Sequence, residues 1–405
     1  MFRIKYPSQG SLSSKAFASL MRNKTAVISI WAIVICTLVA CAGYLITPDS
    51  TPFANEQHLE IAAKKPGSVV KMLKIRNNDL PVKQSIITTL AYGRKSDYSY
   101  LPIASYRFSN DHILVKVAGE SNDSSALEYS FLVQDVLYAL ADTSTLSKTK
   151  PSFDLTGHQI NKSLQEMKEE IEQKNINNRF YLLGTDRFGR DVLSQLMIGT
   201  RVSLSVGFIS VLISLIFGIL LGALAGFFRG RVDDIIIWFI NVIWSIPTLL
   251  LVIAITFALG KGFWQVFIAV GLTMWVEVAR IVRGQIISLR EKEFVEAARA
   301  LGYKNFRIIF RHILPNTMGP VIVISAANFA SAILIEAGLS FLGIGVQPPM
   351  PSWGTMVKEN YAYIILDNPW LALIPGIAIM FLVLAFMLIG NALRDALDVK
   401  TNSSF

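Results

Sequence analysis

Glu293-Phe-Val-Glu296-Ala297-Ala298-Arg-Ala-Leu-Gly302, nine further residues, then His312-Ile-Leu314-Pro315, holds the most specific spacing in this sequence. Glu, Ala, Arg and Leu favour helix, and Gly302 is placed to end one. A second amphipathic helix is expected from Lys304 to about His312. Eight basic residues against three acidic lie between Arg280 and Met318. Physical chemistry alone leaves two uses for such a cationic helix-turn-helix. It lies in a membrane interface, or it protrudes to dock on a partner protein.

Outward from this segment the chain is apolar. Of 405 residues 52% are hydrophobic and 17% charged, with mean hydropathy +0.47 and net charge +9. Soluble domains carry about 25% charged residues, and disorder needs low hydrophobicity. The two cysteines, Cys36 and Cys41, share one apolar run and build no disulfide framework. About 20 apolar residues span a bilayer as a helix. Six runs qualify: Ala26 to Ile46, Val202 to Phe228, Ile235 to Leu259, Phe263 to Val282, Val321 to Ile344 and Trp370 to Gly390. Only the fourth and fifth hold charges, Glu277 with Arg280, and Glu336.

The organisation that follows is an N-terminal tail (1–25), a first span (26–46), an inserted domain (47–182), a juxtamembrane segment (183–201), a core of five spans (202–390) and a C-terminal tail (391–405). The insert is polar. Ser85 to Leu90 and Ile113 to Ala118 read as strands from their β-branched content. Gln159 to Lys174 reads as a helix with Ile160, Leu164, Met167 and Ile171 on one face and a Glu170–Lys174 pair. The expected fold is therefore an α-helical integral membrane protein of six transmembrane helices with an inserted α+β domain. Basic residues mark inner loops. Arg3, Lys5, Lys15, Arg22 and Lys24 put the N-terminus inside, Arg394 and Lys400 the C-terminus, and the insert falls outside. Leu38-Val-Ala-Cys41 invites a cleavage reading, but apolar sequence continues to Ile46, so an uncleaved anchor is expected. The positive charge follows topology and not a nucleic-acid patch.

The spacing Glu296-Ala297-Ala298, Gly302, His312, Leu314, Pro315 resembles the EAA loop of bacterial ABC importer permeases, with His312 where Ile is usual. Leu183-Gly-Thr-Asp-Arg-Phe-Gly-Arg-Asp-Val-Leu193 and Glu336-Ala-Gly-Leu-Ser-Phe-Leu-Gly-Ile-Gly345-Val-Gln-Pro-Pro349, with Pro351-Ser-Trp-Gly354, resemble the "C"-type permeases of the oligopeptide/dipeptide (peptide/nickel) branch. The resemblance implies the type I importer permease fold, with residues 284–318 as the loop that couples to an ATPase. It implies a paralogous permease partner, two ATP-binding subunits that hold ATP and Mg, a solute-binding protein, and no cofactor or catalysis on this chain. A nickel chelate or glycoside is the alternative solute. An ion-coupled secondary transporter is the alternative class. Two departures stand out. The segment before the Gly-Thr-Asp run is long, and Trp238 and Asn241 occupy places where the family commonly has Arg and Asp.

Other residues bear on mechanism. Gly218, Gly222 and Gly226 repeat at four-residue spacing and suit close helix contact. Pro247 falls mid-span and permits a bend, as a hinge or a fixed kink. Glu277 is expected to pair with Arg280, and Glu336 to face the bundle or line the translocation path. The phosphate-loop reading of Gly184-x4-Gly189 fails because Arg190-Asp191 follows. His58, His112, His158 and His312 have no metal-ligand spacing.

Overall fold

A computed structural model describes residues 12–79, 84–119, 128–139, 162–260 and 262–397. Arg3, Lys5, His158, Gln159, Ile160 and Lys400 lie outside these. In chain order the elements are α1 (Leu12–Arg22), α2 (Lys24–Ile46), β1 (Ser68–Arg76), α3 (Ile86–Tyr92), β2 (Tyr98–Ser109), β3 (His112–Val117), β4 (Glu128–Leu132), α4 (Val133–Leu137), α5 (Leu164–Glu170) and β5 (Ile176–Tyr181). They continue with α6 (Val192–Phe228), α7 (Gly230–Trp244), α8 (Thr248–Leu259), α9 (Phe263–Arg290), α10 (Glu293–Ala300), α11 (Asn305–Arg307), α12 (Leu314–Phe341), α13 (Trp353–Asn360) and α14 (Trp370–Leu397). The chain divides into two compact units, one formed by 41–198 with 359–371 and the other by the rest.

Long apolar helices build the membrane unit. α2, α6, α9, the run Asn305–Phe341 and α14 are each long and apolar enough to cross a bilayer. The pair α7 and α8, bent by 94° at Ser245-Ile246-Pro247, makes a sixth span if its halves count together. Lipid offers no hydrophobic drive between helices, so shape decides their packing. A Cβ added at Gly222 would lie 2.5 Å from the Ala279 carbonyl oxygen, and one at Gly218 would lie 2.5 Å from Val278 Cβ. At Gly226 it would lie 2.8 Å from the Arg283 carbonyl oxygen. The three glycines thus form a seam on which α6 meets α9. α6 starts at Val192, well before the expected Val202, because Asp191 Oδ2 accepts the Ser194 amide at 3.0 Å and caps the helix there.

The insert unit is a five-stranded antiparallel sheet of order β4-β3-β2-β1-β5. α4 and α5 cover one face, where Leu73, Ile103, Ile113, Val115, Val136 and Met167 are buried. β3 matches the expected Ile113 to Ala118 strand. Ser85 to Leu90 does not form a strand: it is α3. β1 already pairs with β2 and β5, and Ile86 and Ile87 are exposed rather than buried on a sheet. Ser85 stands at the N-cap, and Gly93, at φ 80°, ends the helix with its amide on the Thr89 carbonyl. The expected helix from Gln159 is described from α5 onward, where Ser163 and Glu166 form a reciprocal capping box. A π turn at Ile171–Asn175 follows, and the Glu170–Lys174 ion pair measures 3.0 Å.

Candidate coupling site and transmembrane cavity

α10 is eight residues long, and the spacing of its motif follows from how it ends. The Tyr303 amide donates to the Ala298 carbonyl at 3.1 Å and the Gly302 amide to the Arg299 carbonyl at 2.9 Å. This is the paired bonding of a Schellman motif, with Gly302 at the left-handed position, φ +75°. A Cβ at Gly302 would meet nothing within 4 Å, so the glycine is there for its backbone angle and not for space. Ala298 sits four residues earlier, buried under Tyr303. Glu296 and Ala297 point to solvent.

The buried side of α10 locks it to the spans. Val295 and Ala298 share a cluster with Phe227 of α6, Val282 and Ile286 of α9, and Ile309 and Ile313 ahead of α12. Arg290 donates to the Phe227 carbonyl, satisfying one of the orphan acceptors at the end of α6. Arg283 makes two 2.6 Å hydrogen bonds to the Asp233 carboxylate and ties α9 to α7. The outer side is apolar where a free loop would be polar. Phe294, Leu301, Phe306 and Phe310 are exposed, Leu301 at 71%, and the Phe306 and Phe310 rings stack at 5.7 Å.

The second helix of the expected helix-turn-helix is not separate. α11, a π turn at Ile308–Ile313 and α12 form one continuous run from Asn305 to Phe341. Pro315 lies in the first turn of α12 and lacks the amide that would donate four residues back; the widened turn falls just before it. Leu314 is buried and Pro315 exposed. His312 stacks on Tyr303 at 5.7 Å, and its Nε2 has no hydrogen-bond partner.

Of the two intramembrane carboxylates, Glu336 faces the bundle as expected and Glu277 does not make its expected pair. Glu336 is fully buried; its Oε1 accepts from the Ser340 hydroxyl at 2.7 Å. The Ser340 hydroxyl also accepts the Val346 amide at 3.2 Å, and Gly345 and Gly354 let the following loop lie against Ser340 and Ala337. Glu277 is the exposed one. It faces a cavity of about 320 Å³ with Trp244, Thr248, Thr273 and Ser331, at the break before α8 whose N-cap is Pro247. Its expected ion pair with Arg280 is absent. Arg280 instead donates to Asn241 at 2.8 Å and lies 3.4 Å over the Trp244 ring. Sequence spacing placed Arg280 within reach of Glu277; the bend that swings Trp244 toward Arg280 carries no signal beyond Pro247.

In the other unit the Gly184 to Asp191 run is a tied turn. Asp186 Oδ1 accepts the amides of Phe188 and Arg190, both at 2.9 Å, and Arg190 Nε donates to Asp186 Oδ2 at 2.6 Å. Arg190 also reaches Glu359 at 2.6 Å. Burial works against its charge, but Asp186 and Glu359 outweigh it and hold the guanidinium above its ordinary pKa. Gly189, at φ +73°, lies against the His58 carbonyl with no room for a Cβ. The amides a phosphate would need are in use.

Residues 218–403 match the model of the binding-protein-dependent transport system inner membrane component. The dipeptide transport system permease protein DppC of Alkalihalophilus pseudofirmus is 40% identical over 274 residues, 68% of this chain and 84% of that one. The chain belongs to this family of transport permeases. Within the family, the glutathione transport system permease protein GsiD of Pectobacterium atrosepticum is 41% identical over 55% of this chain and 73% of its own. The oligopeptide transport system permease protein OppC of Bacillus subtilis is 39% identical over 54% and 71%. A solved chain of the inward-facing MetNI methionine ABC transporter overlaps 50% of this chain and 96% of its own at 19% identity, TM-score 0.42. As a permease of this family the chain is a multi-pass inner-membrane component that works with other transporter subunits. The family model starts at residue 218 and includes none of the insert.

Proposed function

We propose that this permease forms half of the translocation pathway of an ATP-driven importer of short peptides. The other half is a paralogous permease, two ATPase subunits bind ATP and Mg, and a solute-binding protein delivers the peptide. Both termini are cytoplasmic and the insert lies outside, as the basic tails favour. The chain itself holds no cofactor and catalyses nothing.

The observation that carries this reading is α10. It presents Glu296, Ala297 and an apolar rim to solvent while its other side is packed into α6, α9 and α12. A partner that grips the rim moves the spans with it. A ligand shifts a conformational equilibrium only through unequal affinity for its states, and ATP supplies that inequality through the ATPases. Peptides are favoured over other solutes by the names of the relatives, which specify dipeptide, glutathione and oligopeptide transport.

The test is uptake of labelled dialanine by proteoliposomes holding the assembled transporter. ATP-dependent uptake is expected, with Glu296→Lys and Gly302→Pro inserting normally but no longer linking ATP hydrolysis to uptake. Uptake at wild-type rate in both variants overturns the coupling assignment. Absence of uptake for any short peptide, with another solute carried, overturns the substrate.

A further inference from the structure

The insert's sheet has one apolar face, and a second on which an apolar cluster of Val70, Met72 and Tyr181 gives way to charged residues. Along β1, Leu73 and Ile75 turn into the core under α4 and α5, so Met72, Lys74 and Arg76 turn the other way. On that second face Lys74 stands opposite Tyr100, and Arg76 opposite Tyr98, on β2; Met72 stands opposite Asn177 on β5. Residues 48–51, Glu56 and 94–98 close over it and leave a cleft of about 440 Å³. That is within the range of small-molecule sites, roughly 300–1,000 Å³.

Most charges in the cleft are already answered. Arg179 pairs with Glu56 at 2.7 Å. Asp49 is buried, its oxygens accepting the amides of Thr51 at 2.9 Å and Glu56 at 3.1 Å. Arg94 is exposed and only 3.7 Å from Asp97. Lys74 differs. Its ammonium lies 3.8 Å over the Tyr98 ring, and no carboxylate among the described residues pairs with it. A half-buried cation held over an aromatic face, without a counter-ion, is set to receive a carboxylate.

We propose that this cleft binds a short peptide, its terminal carboxylate on Lys74 and Arg94 and its backbone along Tyr98 and Tyr100. Its lining residues all belong to the insert unit. The inference rests on the peptide reading of the transported solute, since the cleft chemistry requires only a small carboxylate.

Calorimetric titration of the full chain in lipid nanodiscs with L-alanyl-L-alanine tests it. Saturable binding is expected, weakened about tenfold or more by Lys74→Met and by Arg94→Gln, the factor for one lost charge-assisted hydrogen bond. Lys71→Met removes the same charge from the opposite face of β1 and is expected to bind as wild type. N-acetyl-L-alanyl-L-alaninamide, which has no terminal charges, is expected not to bind. Thermal unfolding at the wild-type temperature shows that the variants fold. No saturable dialanine binding, equal affinity in Lys74→Met, or equal affinity for the capped peptide overturns the proposal. Uptake by the assembled transporter without binding in the cleft overturns the cleft alone. Binding without uptake overturns the import of peptides and leaves the cleft standing.

Discussion

The glycine seam of the membrane unit and the buried ion pairs of the insert unit hold their elements together by opposite means. Along the seam where α6 meets α9, close contact is made by absent side chains: Gly218, Gly222 and Gly226 bring the backbone of α6 onto Val278 and the Ala279 and Arg283 carbonyls of α9. In the insert, contacts between distant segments are polar and buried. Arg190 joins Asp186 to Glu359, Arg179 joins β5 to Glu56, and Asn175 donates to the Lys74 carbonyl at 2.6 Å. Hydrocarbon gives helices no reason to associate except fit, whereas a small sheet domain can bury charge if each is answered. Substitutions of size are therefore expected to damage one unit and substitutions of charge the other.

The largest effect is expected from Arg190→Met. It removes the guanidinium between Asp186 and Glu359 and leaves only the exposed Arg187, 3.9 Å from Glu359, and breaking a buried pair this way costs about 3–5 kcal/mol. Limited proteolysis should cut the insert while the membrane spans stay protected; an insert as resistant as wild type breaks the comparison. Next is Gly222→Val. A side chain forced against the Ala279 backbone is expected to cost about 1–3 kcal/mol, read as a lower unfolding midpoint in detergent. Gly376→Ala, in α14 with open space around it, is the matched control and should be neutral or slightly stabilising.

Gly302→Ala sharpens the comparison because this glycine belongs to neither case. Its surroundings are open, and only its left-handed backbone angle resists a Cβ, at about 1–2 kcal/mol. The loss falls on the end of α10 and not on the seam. Uptake is expected to fall while the global unfolding midpoint stays close to wild type. A midpoint shift as large as that of Gly222→Val would mean the turn supports the whole unit.

The same contrast explains what could be read in advance. Spans were legible because hydrocarbon imposes length and apolarity, and α2, α9 and α14 begin within two residues of where charge-free or apolar runs predict. The α10 turn was legible because a left-handed cap demands glycine at a fixed offset. The glycine seam was legible as a contact, though not its partner α9. Local strand propensity misled at α3, where Ser85 and Gly93 were the better signal. Glu336 was legible as bundle-facing, but Glu277 was misplaced, because the partner of Arg280 comes from another helix. Trp244 and Asn241, which take Arg280 beside the break at Pro247, are not local to Glu277. The cleft on the insert was not legible at all, since it joins residues 48–56 to strands β1, β2 and β5 across more than a hundred positions.

The smallest effect expected is on the pH dependence of the insert, where Asp49 and Glu56 act in opposite senses. Burial pushes the Asp49 carboxyl above its ordinary 3.8, and the nearby Glu56 charge adds to this against the hydrogen bonds from Thr51. Its folded form therefore binds the proton more tightly than its unfolded form, so acidification toward 3.8 adds stability. Burial also opposes ionisation of Glu56, but the His58 ring 3.6 Å away and the charge and hydrogen bond of Arg179 outweigh it and hold that carboxyl below 4.5. Its contribution is complete above 4.5 and is lost as pH falls through the depressed folded value. Unfolding of the insert, followed by proteolysis from pH 7 to pH 3, should show stability rising slightly and then falling. Asp49→Asn is expected to remove the rise and keep the fall. If the rise survives in Asp49→Asn, a different group holds the raised proton, and burial of Asp49 beneath the cleft is not what sets the acid limb.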